Sequence, residues 1–243
     1  KEGVIEDHAN KDRVAKLCRF ASTNNASDVK NVSLEDYVAR MKDGQDKIYY
    51  ITADNFNGAK NSPHLEIFKQ KGIEVLLLTD RVDEWVVSHL FEFDGKSLVS
   101  VAKGKLDLGK LDDEKPSEDE IKQQDEQAKP ILEKIKTALV GKVKDVVVTT
   151  RLVDSPACLV VDNNAMSMQM ERLMRQAGQE MPANQPTLEI NLKHKLINKL
   201  ESSIDQEQID ALSLVIFEQA QLTEGIQLDD PVGFVKRMNG FIA

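Results

Sequence analysis

The residues best suited to recognition chemistry lie between Ala165 and Gly178. Met166, Met170, Leu173, Met174 and Ala177 recur at i, i+4, i+7, i+8 and i+11, one stripe of a helix with about 3.6 residues per turn. Met168 falls on the opposite face, among Ser167, Glu171, Arg172 and Arg175. Thioethers are flexible and polarizable, so a methionine stripe fits many apolar shapes, and surfaces that take many partners use this chemistry. Two readings stand: the stripe packs into its own core, or it grips apolar segments of other proteins. The second gains from the loop signals on either side, Asp162-Asn163-Asn164 and Gly178 to Pro182. It gains also from the lack of β-branched residues and Phe that a close-packed core would use.

Catalytic chemistry finds little support. There is no Walker loop, no Gly-x-Gly-x-x-Gly and no Gly-x-Ser-x-Gly. The loop Ala53-Asp54-Asn55-Phe56-Asn57-Gly58 holds one glycine, weak material for a phosphate cradle. His8, His64, His89 and His194 are scattered, without a second His or Cys at ligand spacing, and Cys18 and Cys158 are far apart. The many carboxylates read as solvated helix faces rather than acid–base groups. The expectation is no catalytic residue, cofactor or metal in this chain.

The elements that position the stripe follow from pattern. At 243 residues, 41% hydrophobic and 30% charged, the chain can bury one or two cores. The net charge of −9 argues against a nucleic-acid partner, and no apolar run approaches a membrane span. Two cysteines without a pairing or metal spacing and the lack of a signal-type opening point to a reducing, cytoplasmic setting. The opening at Lys1 rather than Met points to a piece of a longer protein.

Residues 4–20 read as one helix. Ser33 and Asp36 form a weaker variant of the capping box at the start of a helix running to about Lys42. Lys47–Thr52 and Ile73–Thr79 read as buried strands of a parallel sheet, with short helices at Asp54–Asn61 and from Ser62-Pro63 to Gly72 between them. A helix over Asp80–Phe91 and a strand over Leu98–Val101 complete a small α/β unit. Gly104, Gly109, Pro116 and the run Asp112-Asp113-Glu114 mark a linker. Ser117 to Glu120 is a full capping box, and its helix is expected to bend or restart at Pro130 and to end at Gly141. Strands over Asp145–Val153 and Ala157–Val161, joined by Asp154-Ser155-Pro156, read as a hairpin, followed by the methionine helix and a third strand at Thr187–Leu192. Helices follow at about 194–202, 205–222 and 230–242. The fold class is α/β (α+β), divided as 1–110 and 111–243, with a mixed α/β second domain ending in a helical bundle.

The last two helices carry surplus apolar surface. In the first, Ala211, Leu212, Leu214, Val215, Ile216 and Phe217 surround most of the circumference, and such a helix must be covered on several sides. In the second, Phe234, Val235, Met238, Phe241 and Ile242 form a stripe. Homodimerisation through Leu212, Val215, Ile216 and this stripe is the simplest remedy, the alternative being that both helices tuck onto their own domain.

Several segments together resemble a known family. Val32 to Thr52, Ser62-Pro63-His64-Leu65-Glu66, Gly72 to Trp85 and Phe91 to Lys96 are similar to the middle domain of the ninety-kilodalton heat-shock chaperones. Arg151 to Pro156, Met166 to Met170 and Asp230 to Met238 are similar to its C-terminal domain, and the likeness is greatest to bacterial members. The resemblance implies the later middle domain plus a C-terminal dimerisation domain, from a parent that uses ATP and magnesium at a site upstream of Lys1. It implies a molecular chaperone piece that is not itself an enzyme. It implies partly unfolded client proteins, a second copy and other chaperones as partners, with clients held by Trp85, Met166, Met170, Leu173 and Met174. Asn191-Leu192-Lys193-His194-Lys195 lacks prolines that many relatives place after the Asn and after the His, and the chain ends at Ala243 without the acidic tail that recruits co-chaperones in eukaryotic cytosolic relatives. Val82, Val86 and Leu90 can supply the core under Trp85, leaving its ring partly exposed. The rival reading is a dimeric α/β module that binds a nucleotide or metabolite.

Overall fold

The computed structural model describes residues 1–25, 27–112, 118–179, 184–202 and 205–242, with the side chains of 118–125 and 242 outside that description. The expected Ser117–Glu120 capping box and Ile242, one of the expected interface residues, therefore lie outside the described side chains. Contacts divide the chain into two compact units. The first comprises Lys1–Asp113 with Met166–Met181, the second Glu114–Ala165 with Pro182–Ala243. The methionine segment thus groups with the first unit, although the second surrounds it in sequence.

In the first unit α1 (Gly3–Glu6) and α2 (Lys11–Leu17) replace the single helix expected over 4–20. The break has a local cause: the Asp7 carboxylate accepts the Asn10 N–H at 3.1 Å, and this competes with helix continuation. After β1 (Ala21–Ser22), helix α3 (Leu34–Ala39) opens on the anticipated reciprocal cap. Ser33 Oγ accepts from Asp36 N at 2.9 Å while Ser33 N donates to Asp36 Oδ2 at 3.1 Å. Then come β2 (Lys47–Thr52), α4 (Phe56–Lys60), a 3-10 turn begun by Ser62-Pro63, and α5 (Glu66–Gln70). Next are β3 (Leu76–Leu78), α6 (Asp83–His89), β4 (Glu92–Phe93) and β5 (Lys96–Ser100). Strand β3 and helix α6 are shorter than the patterns 73–79 and 80–91 suggested, and β4 was not anticipated.

The five strands form one sheet in the order β1-β3-β2-β5-β4, with β2 parallel to both β3 and β5 and the outer strands antiparallel. Alternation along the strands feeds two cores. Ile48, Tyr50, Leu76 and Leu78 pack with Val86 and Leu90, while Tyr49, Ile51 and Leu77 pack with Ala59, Leu65 and Phe68. Helices α4 and α5 therefore cover one face and α6 the other, as in a doubly wound sheet.

In the second unit α7 (Glu118–Ala138) runs as one helix through Pro130. Strands β6 (Asp145–Val148), β7 (Ala157–Val160) and β8 (Thr187–Ile190) pair in the order β6-β8-β7, β6 parallel and β7 antiparallel to β8. The expected hairpin is thus not formed, because β8 lies between the two strands. The connection after β6 is tied to β8 instead. Arg151, fully buried, donates through Nε to Glu189 Oε2 at 3.0 Å, and Asn191 Nδ2 donates to the carbonyls of Val153 and Ser155 at 3.3 and 3.2 Å. Helices α9 (Lys195–Ser202), α10 (Gln206–Thr223) and α11 (Pro231–Ile242) close the unit, with α10 packed on β7, α7, α9 and α11.

Candidate functional site

The methionine segment folds as helix α8 (Met168–Gln176), shorter than its apolar stripe suggests. Ser167 is the cap, its Oγ accepting the Met170 N–H at 3.0 Å, so Met166 lies just outside the helix rather than on its first turn. Ser167 had been assigned to the polar face; it sits instead where an N-terminal donor needs an acceptor. Met166, Met170, Leu173 and Met174 are all half-buried. They are neither sealed into a core nor free of it. The residue of α8 that is buried is Gln169, and its Oε1 has no hydrogen-bond partner among the described residues.

The helix is held to the first unit through polar side chains. Ser167 Oγ also donates to Glu84 Oε1 at 2.8 Å, and Arg172 donates to Asp54 Oδ2 at 2.7 Å. Glu84, in the first turn of α6, is buried, and its neighbour Trp85 is half-buried. Val86 and Leu90 fill the core beneath them, with Val82 packed against it, and the indole is partly exposed. The hydrogen bond from Ser167 to Glu84 brings the segment carrying Met166 beside the turn carrying Trp85. Burial and the Glu84 carboxylate both push the Tyr50 hydroxyl upward, while burial pushes the Lys103 ammonium down against the opposing pull of Glu84.

Asp54, Glu84 and Lys103 follow the carboxyl ends of the parallel strands β2, β3 and β5. In doubly wound sheets that edge is where small ligands bind. Here the chain's own helix α8 is anchored to two of the three. The one candidate phosphate loop is also committed: Asn55 Oδ1 accepts the Gly58 N–H at 2.9 Å, and Asp54 places a carboxylate beside it. These residues do not fit a nucleotide, and the rival reading loses its binding loop. Among the described residues no group of three or more His, Cys, Asp or Glu is placed to hold a metal.

The expected interface residues divide by position. Leu212, Val215 and Ile216 are buried by the chain's own second unit, at 2%, 1% and 0% exposure. They are core supports of α10 and not a surface open to a second copy. On α11, Phe234, Met238 and Phe241 are half-buried, while Val232 and Val235 are 66% and 53% exposed. Arg237 fixes this helix across α10 by pairing with Glu218 at 2.5 Å, and Asp230 accepts the Gly233 N–H at 2.8 Å.

The sequence profile of the family described as "Hsp90 protein" matches residues 1–243. The chain belongs to the Hsp90 family. It is 60% identical over 239 residues to a protein of Dechloromonas aromatica named "Chaperone protein HtpG", covering 98% of this chain and 37% of that protein. Proteins of the same name from Chromobacterium violaceum and Burkholderia cenocepacia are 57% and 56% identical, covering 98% and 100% of this chain and 38% of each relative. This Hsp90 chain therefore spans a little over a third of the length of the relatives it matches. Among its described residues no helix is long and apolar enough to cross a membrane. Its polar anchors, Glu84, Ser167, Asp54 and Arg172, were invisible as a set in the sequence, because the partners are 83 and 118 positions apart.

Proposed function

We propose that this chain is the client-binding and dimer-forming portion of an ATP-driven Hsp90 chaperone, with the ATP chemistry carried by a part of the protein outside these residues. The observation that supports the client reading best is the half-buried state of Met166, Met170, Leu173 and Met174 on a helix whose buried residue is polar. A stripe of thioethers at that depth retains apolar area for a partly unfolded chain while staying ordered. Trp85, beside Glu84, extends the same surface. Replacing Met170 and Met174 together by Asp tests it. The expected result is an intact melt with client affinity lowered several-fold, since apolar anchors carry most interface energy. A collapsed melt returns the stripe to the core, because buried unpaired charge is very costly.

Dimerisation is supported by α11, where Val232 and Val235 stand exposed beside Phe234, Met238 and Phe241. A stable interface there should bury more than about 1,000 Å². Light scattering on the chain at micromolar concentration should report twice the monomer mass, and a monomer refutes the reading.

A further inference from the structure

The methionine helix is docked by the wrong face for an ordinary amphipathic element. Its apolar stripe is half-covered, whereas its attachments are a hydroxyl on a buried carboxylate, a guanidinium on a carboxylate, and a buried amide whose oxygen has no partner. Asp54 lies just past β2 and Glu84 in the first turn of the helix that follows β3, and β2 and β3 pair in parallel. A nine-residue helix is too short to persist alone in water, so α8 depends on these attachments for its order. The Arg172–Asp54 pair is open to water on its carboxylate side and is weak, whereas the Ser167–Glu84 bond ends on a buried carboxylate that is left without its donor when the helix leaves.

We propose that Glu84 and Asp54 form a polar latch that holds α8 reversibly, and that they are positioning residues for the methionine surface. Latched, the helix is ordered with its stripe turned partly outward; released, its capping hydroxyl loses the Glu84 carboxylate that orients it, the helix unravels, and the surface is withdrawn. Gln169 keeps the latched state from being too stable, since its buried Oε1 forfeits a hydrogen bond to water without a replacement. The latch itself stands on the geometry alone; its consequence for clients rests on the reading of the stripe given above.

The test is hydrogen exchange resolved by peptide on the whole chain, with Glu84→Ala, Arg172→Gln and their combination. Exchange across 168–176 should accelerate about tenfold or more in the combined variant, while the amides of β2 and β3 keep their protection. Glu84→Gln, which retains an acceptor for Ser167, should restore most of the protection. Gln169→Leu should act in the opposite direction and slow exchange. Raising salt from about 0.05 M to about 0.5 M should loosen α8 in the parent and leave the combined variant little changed. Unchanged exchange in the combined variant, or equal acceleration in β2 and β3, overturns the latch. Client titration on the same samples separates the two proposals. Faster exchange with undiminished client affinity keeps the latch and removes α8 from the client surface.

Discussion

Glu189→Ala is the substitution whose cost follows most directly from geometry. Arg151 is fully buried and Glu189 is 7% exposed on the middle strand of the second sheet. At an Nε–Oε2 separation of 3.0 Å the attraction is about 5–6 kcal/mol at an effective dielectric of about 20. Desolvation of both ions offsets most of that, so the pair adds little net stability as a pair. Removing the carboxylate alone is different, because the guanidinium stays buried and loses its counter-charge, at about 3–5 kcal/mol. Arg151 has further partners, which places the loss at the lower end. For a unit of this size about 3 kcal/mol lowers the melting temperature by roughly 10 °C. The assay is thermal unfolding by circular dichroism, with exchange of the β7 and β8 amides as the unit-specific readout. Arg151→Met combined with Glu189→Leu should recover most of the loss, since an apolar pair of similar volume has no charge to strand. A single variant within about 1 kcal/mol of the parent, or a double variant no better than the single, refutes the reasoning.

Two further outcomes follow from local structure. The Asp36 carboxyl is held below its ordinary 3.8 by hydrogen bonds from the Ser33 side chain and backbone, so its contribution is present above that value and lost as pH falls through the depressed folded value. The stability gap between parent and Asp36→Asn, read from melts across pH, should therefore close in acid; a gap that widens there contradicts the cap. Gly233→Ala would place a Cβ 1.8 Å from Asp230 Oδ2, turning away the carboxylate that caps the Gly233 N–H. It should cost about 1 kcal/mol and weaken the proposed dimer, measured by melting and by dilution light scattering.

Signals between near neighbours were legible in the sequence, and those between distant ones were not. Ser33 with Asp36, Ser62 with Pro63, and the β-branched and aromatic run Lys47–Thr52 each act within a few residues, and each marked its element. The hairpin failed because Asp154-Ser155-Pro156 is a valid turn signal that carries no information about a strand inserted some thirty residues later. Its true ties, Arg151 to Glu189 and Asn191 to Val153 and Ser155, are non-local. At the candidate site the methionine stripe was readable from periodicity, while the start of its helix was misplaced. Ser167 was hard to read as the start because its third following residue is Met170 rather than the Glu or Gln of a capping box. On α10 the apolar girth was real, but α7, α9, α11 and β7 cover it, so surplus hydrophobicity marked a core helix and α11 retained the exposed surface.

Trp85 is the chain's one tryptophan, which makes it a direct reporter of the central claim. Its emission can be followed while a tryptophan-free, permanently unfolded protein is titrated into the chain. If the indole and the methionine stripe form one client surface, the emission should shift saturably to shorter wavelength as the half-buried ring is covered. The shift should be lost when Met170 and Met174 are replaced by Asp in a variant that melts normally. Saturable client binding that leaves the Trp85 emission unchanged, or that persists undiminished in that variant, would contradict the account.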